Sequence, residues 1–140
     1  MIDQLSHDEA MGILEASGDA HLGCIVDDEP YVVPMYYVLE GEFAYLHSLP
    51  GRKVEGMRGL PRVCLQVQTV KGEYHWRSVQ AFGNFEEIDD EVERMRVLGL
   101  LFERFPRLTP ADAVRRHGHL GAPPIVFRIR IDRVVGIGEG

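Results

Sequence analysis

The sequence predicts a mainly β fold, a closed antiparallel barrel with helices on its outside. Three observations carry this. Five strand-like runs separated by tight turns crowd the chain before Ile88, one clean alternating run from Val126 to Ile131 comes near the C-terminus, and a strong amphipathic helix lies between them. The late strand must return to close the sheet. Side chains fill the interior of a barrel this small, so a ligand is expected on the outer wall or at a subunit contact.

Taken in order, Ser6-His7-Asp8-Glu9 has the form of a capping box with Leu5 placed to staple the first turn. The apolar stripe Ala10, Ile13, Leu14 then predicts a helix from about Asp8 to Ala16, closed by Gly18. Strands follow over His21 to Val26, Tyr31 to Leu39 and Glu42 to His47, with turns at Asp27-Asp28-Glu29-Pro30 and Glu40-Gly41. Pro34 removes a ladder donor from the middle of the second strand, which must therefore lie at an edge, bulge, or face a ligand. Arg52 to Arg58 opens a short helix, Arg62 to Val70 is a fourth strand, and Lys71-Gly72-Glu73 turns it back. The fifth strand, Tyr74 to Ile88, sets His75, Arg77, Val79 and Ala81 on one side and Trp76, Ser78, Gln80 and Phe82 on the other, with a bend or bulge at Gly83. Neither side is uniformly apolar, as expected of a strand lining a polar site or an interface.

Asp89 or Asp90 can cap the next helix, where Val92, Met95, Leu98, Leu101, Phe102 and Phe105 recur at helical steps until Pro106 stops it. Thr109-Pro110-Ala111-Asp112 starts a short helix reaching about His117, and His117-Gly118-His119 reads as a loop without metal. In the last strand Phe127, Ile129 and Ile131 face inward and Arg128 and Arg130 outward, with Asp132 closing it.

With 140 residues and 45% hydrophobic content, one domain spanning 1–140 with a real core is expected. No apolar run approaches about 18 residues and no basic segment precedes an apolar one, so neither membrane association nor a signal peptide is expected and the cytoplasm is the default compartment. A net charge of −7 argues against a nucleic-acid partner. Cys24 and Cys64 sit in apolar strand-like runs without C-x-x-C spacing and read as buried thiols, not as a disulfide or metal site.

The stretch richest in chemistry is Tyr45-Leu46-His47-Ser48-Leu49-Pro50-Gly51-Arg52-Lys53, a strand end, a tight turn and two adjacent cations. Cations are unusual in the first turn of a helix, where the dipole recruits Asp or Glu. Together with free backbone N–H groups they make an anion site, for which a phosphate is the natural guest; two solvated surface residues are the alternative.

The order Val32-Val33-Pro34, His47-Ser48, Gly51-Arg52-Lys53, and then Trp76-Arg77-Ser78-Val79 ending in Gly83 resembles the pyridoxamine 5'-phosphate oxidase-like flavin-binding split barrels. It is most similar to the branch holding the Nim 5-nitroimidazole resistance proteins, and the likeness spans about Gly18 to Ile131. The resemblance implies a six-stranded antiparallel split β-barrel, a homodimer, and FMN in two grooves between subunits. It implies that Arg52 and Lys53 grip the FMN phosphate, that Val33, Pro34, Met35 and Tyr36 run along the isoalloxazine ring, and that Ser78 reaches the same cofactor. His47 and the adjacent Ser48 would contact the cofactor region, with His47 the candidate catalytic residue. Trp76 would be a flavin wall or dimer packing. The pyridoxal-phosphate signature of the true oxidase is not seen, so vitamin B6 oxidation is not expected. The expected function is FMN-dependent reduction of a small electron-poor substrate such as a nitroaromatic, the alternative being a non-catalytic flavin- or haem-binding module.

Overall fold

The computed structural model of the chain describes residues 1–107 and 123–140. The elements run β1 (Ile2–Gln4), α1 (His7–Ala16), β2 (Asp19–Val26), β3 (Glu29–Tyr36), β4 (Val38–Glu40), β5 (Phe43–Ser48), α2 (Arg52–Gly59), β6 (Arg62–Gly72), β7 (His75–Glu87), α3 (Glu91–Arg104) and β8 (Ile125–Glu139). The expected helix at Thr109 and the His117-Gly118-His119 loop lie outside the described residues.

One antiparallel sheet runs in the order β3-β2-β6-β7-β8-β5-β4, with β1 added against the end of β8. Its two terminal strands, β3 and β4, are consecutive in the chain and joined by the single residue Tyr37. A sheet whose ends are one residue apart has to curl until they meet, which makes a barrel split at that seam. Tyr37 explains why the sequence run Tyr31 to Leu39 is two strands and not one. Its side chain is fully buried, its hydroxyl donates to the Leu14 carbonyl, and its N–H donates to the Gly18 carbonyl at 3.0 Å. These bonds tie α1 and the loop after it across the seam.

The strand count exceeds the expected six because β4 is separate and β1 exists. β1 is three exposed residues without alternation, a segment that carries no strand signal of its own and is set by pairing with Ile137–Glu139. The last strand also runs past its expected end. Asp132 is the extra residue of a bulge, since Phe82 pairs with Arg133 and Gly83 with Ile131, and β8 continues to Glu139. Gly83 is required there: a Cβ on it would lie 2.2 Å from the Arg130 carbonyl oxygen.

The main core lies inside the barrel. Leu22, Leu46, Leu65, Val67, Val79, Phe127 and Ile129 meet there with Leu14 of α1 and with Val54 and Met57 of α2. A second cluster lies between the other face of β5 and α3, built from Tyr45, Val126, Ile88, Val97, Leu98 and Leu101. Capping agrees with the sequence: Ser6 Oγ accepts from the Glu9 N–H at 3.1 Å, and Asp90 Oδ2 accepts from Glu93 N–H at 2.9 Å. In β8, Phe127, Ile129 and Ile131 are buried and Arg130 is exposed, as the alternation predicts. Arg128 and Arg130 both donate to Glu86 across the sheet.

Candidate functional site

The turn from β5 to α2 forms one wall of a cavity of about 430 Å³. Ser48, Leu49, Pro50, Gly51, Arg52 and Lys53 line this wall; Val26, Glu29, Pro30 and Tyr31, from the β2–β3 hairpin, line the other. Packing dictates the arrangement. Val54 and Met57 drive one face of α2 into the core, and Gly56 lets the helix settle on β2, where a Cβ would stand 2.6 Å from the Ile25 carbonyl oxygen. The opposite wall is fixed by Asp27 and Asp28, whose φ angles of 52° and 63° make the paired left-handed residues of a two-residue hairpin turn. Asp tolerates this conformation better than most residues.

The two cations differ in environment. Lys53 is half-buried; burial pushes its ammonium below the ordinary lysine range, with the Cys24 thiol pulling the other way. The Cys24 thiol is pushed up by burial, an effect Lys53 opposes. Arg52 stands in solvent, its side chain 79% exposed, and pairs with the carboxylate of Asp27 on the facing turn. Gly51, at the N-cap of α2, supplies no side-chain acceptor, so the first N–H groups of the helix have no cap from that position. A partly desolvated ammonium, an exposed guanidinium and an uncapped helix start therefore face one hollow, an arrangement suited to an oxyanion.

Of the residues expected at the site, Ser48, Arg52 and Lys53 come together on this cavity. Ser48 is buried and its hydroxyl donates to the Leu49 carbonyl at 3.0 Å, which stabilises the turn. β3 is a terminal strand of the sheet, so Pro34 sits at an edge, one of the readings its sequence position allowed. Its start flanks the cavity; Val33 and Met35 are half-buried, Pro34 and Tyr36 exposed, and the Tyr36 ring lies 4.8 Å from that of Phe105. His47 follows the alternation of β5 onto the face opposite Ser48, with its ring 5.9 Å from Phe102 of α3. It does not line the cavity. Trp76 and Ser78 are half-buried on the outer wall of β7, where Gln66 Nε2 donates to Ser78 Oγ at 3.1 Å.

Sequence reasoning missed Asp27, Glu29, Pro30 and Tyr31 as neighbours of the cationic corner. The signal was the two-residue Asp-Asp turn, which fixes the hairpin register and so what faces α2. Both cysteines are free; Cys24 is buried as expected, while Cys64 is only half-buried because it faces the outer wall. Among the described residues no group of three or more His, Cys, Asp or Glu side chains is placed to hold a metal ion, and no helix is long and apolar enough to cross a membrane.

The family profile described as pyridoxamine 5'-phosphate oxidase matches residues 6–137. An uncharacterized protein of Rhizobium meliloti is 37% identical over 84 residues, covering 60% of this chain and 56% of that protein, so the match takes in a little over half of the relative. The crystal structure of an FAD-binding protein from Mesorhizobium loti superposes with a TM-score of 0.80 at 31% identity, covering 100% of this chain and 98% of the other. A candidate 5-nitroimidazole antibiotic resistance protein from Bacteroides thetaiotaomicron shares the fold, with a TM-score of 0.76 at 22% identity over 99% of this chain and 87% of the other. The chain belongs to the pyridoxamine 5'-phosphate oxidase-like family of flavin-binding split barrels.

Proposed function

We propose that the chain is a flavin-dependent oxidoreductase that binds FMN and reduces a small electron-poor compound such as a nitroaromatic. The observation that carries this is the cavity at the β5–α2 turn, lined by the half-buried Lys53 and the exposed Arg52. The residues present fit the group. A phosphate supplies a counter-charge to the partly desolvated Lys53 ammonium, and Arg52 can leave its exposed Asp27 partner to meet it.

When bound, the flavin supplies hydride and electron transfer, and the protein contributes anchoring, orientation and exclusion of water. Lys53 and Arg52 hold the phosphate. The exposed edge of β3, from Val33 to Tyr36, offers backbone and apolar side chains along which a planar ring can lie. Completing such a groove needs a second wall, and a homodimer supplies it: Val32, Tyr36, Val70, Tyr74 and Ile137 are large apolar side chains exposed on the outer sheet face and its rim. Trp76 and Ser78 belong to that same wall. His47 is the candidate proton donor for a substrate seated on the α3 side of β5, where its ring faces Phe102.

FAD in place of FMN is the second reading. The Mesorhizobium loti relative is named as FAD-binding, which supports the same reading.

Purified protein tests the proposal. It should be yellow, release FMN or FAD on denaturation, be bleached by NAD(P)H and be reoxidised by a nitroaromatic. Bound flavin that never turns over would leave a binding module, and a Soret band would point to haem instead.

A further inference from the structure

Across three neighbouring strands of the outer wall runs a chain of side-chain hydrogen bonds that neither core packing nor the cationic corner explains. His21 of β2 and Gln66 of β6 are paired in register, and His21 Nδ1 lies 3.3 Å from Gln66 Oε1. The other end of the same amide, Gln66 Nε2, donates to Ser78 Oγ of β7 at 3.1 Å and to Gln68 Oε1 at 3.4 Å. All four side chains point away from the barrel interior, where the alternating partners Leu22, Leu65, Val67 and Val79 are buried.

The polarity of the chain has a consequence. An amide oxygen only accepts and an amide nitrogen only donates. With Oε1 taken by the His21 Nδ1 hydrogen, both hydrogens of Gln66 Nε2 are directed at Ser78 and Gln68. Ser78 Oγ is therefore an acceptor within the sheet, which leaves its own hydrogen to donate outward from the wall. We propose that Gln66 is a positioning residue, which holds Ser78 as a hydrogen-bond donor toward an acceptor atom of a ligand lying on the outer wall, while His21 fixes which way the Gln66 amide faces. The inference rests on the reading of this wall as part of the flavin site. The oxidised flavin ring suits it, because its edge is made mostly of ring nitrogens and carbonyl oxygens that accept.

Glu in place of Gln66 is close to it in shape and can still accept from His21, but it cannot donate, so the Ser78 hydroxyl would turn inward to it. The test is a set of FMN and FAD titrations of the wild-type protein, Gln66→Glu, Ser78→Ala and the double variant, with apo-protein melting curves alongside. Each single variant should bind flavin about three- to tenfold more weakly, the loss expected for one hydrogen bond. The double variant should be no weaker than either, and apo melting should stay unchanged. A merely structural role would move the melting curves and give additive losses, which overturns the proposal. Wild-type-like affinity in Gln66→Glu and Ser78→Ala, with flavin still binding the parent, overturns this inference alone. A parent that binds neither flavin overturns the functional reading and this inference with it. An independent check needs no flavin: long-range proton–nitrogen NMR of the apo protein should show neutral His21 carrying its hydrogen on Nδ1, and Gln66→Leu should lose that preference. A hydrogen on Nε2 in the parent reverses the amide and overturns the proposal.

Discussion

Arg52→Ala separates binding from folding. In the free protein the guanidinium is 79% exposed and its Asp27 partner 72% exposed. Solvent and salt screen such a pair, so it contributes little to folding, and its removal should lower stability by no more than about 0.5 kcal/mol. Toward a phosphate the same side chain would make charge-assisted hydrogen bonds of about 1.5–3 kcal/mol. The flavin dissociation constant should therefore rise about ten- to a hundredfold while the apo melting temperature barely moves. Adding Lys53→Ala should extend the loss to a few kcal/mol, roughly doubling it. Asp27→Asn gives a control of opposite sign. Asn keeps the left-handed turn but removes the charge competing for Arg52, so affinity should improve about two- to fivefold. Quenching of flavin fluorescence measures the affinities, and circular dichroism of the apo protein measures the melting. A dissociation constant for Arg52→Ala within twofold of the parent would refute the reasoning.

Lys53→Met should stabilise the apo protein at neutral pH while weakening flavin binding. Burial lowers the folded pKa of Lys53, so its charged form is penalised at neutral pH, and the penalty fades as pH rises past the folded pKa toward the ordinary 10.5; denaturant melts at neutral and alkaline pH should show the gain shrinking. Glu86→Gln should lower stability at neutral pH by less than about 1 kcal/mol, since these are partly exposed pairs. Hydrogen bonds from Arg130, then from Arg128, hold the Glu86 carboxyl below the usual range, so its contribution is present above the unfolded pKa and is lost as pH falls through the folded one. Acid titration of stability should bring the parent and this variant together. Gly83→Ala should cost about 3 kcal/mol or more, because its Cβ would sit 2.2 Å from the Arg130 carbonyl oxygen across the bulge; a denaturation midpoint unchanged from the parent would show that β8 shifts freely.

What the sequence showed and what it hid follow from the range of the interactions involved. The inward alternation of Phe127, Ile129 and Ile131, the Ser6 cap and the bulge at Gly83 are local patterns, and each is found where its residues indicate. The α3 helix forms where its spacing predicts, but Val92 and Met95 of its apolar stripe are exposed and Val97 is buried instead, because packing against β5 and Val126 sets which face turns inward. The division of the second strand at Tyr37 was hidden because it depends on carbonyls of Leu14 and Gly18, some twenty residues earlier in the chain. The extension of β8 past Asp132 was hidden because a bulge residue looks like a strand end until its partner strand is known. At the site, the turn and its adjacent cations Arg52 and Lys53 were legible, the turn alone allowing either an anion site or two solvated residues; Lys53 is half-buried and Arg52 stands in solvent. The facing wall of Glu29, Pro30 and Tyr31 was not legible, because a hairpin and a helix meet there only through the packing of Val54, Gly56 and Met57. The resemblance supplied His47 without its orientation, which strand alternation sets toward Phe102.

The most direct measurement is a crystal structure of the protein grown with FMN. The phosphate should sit in the hollow between the β5–α2 turn and the β2–β3 hairpin, within hydrogen-bond reach of Lys53 and with Arg52 swung from Asp27 toward it. A nucleotide bound elsewhere, with Arg52 still paired to Asp27 and Lys53 untouched, would contradict the account.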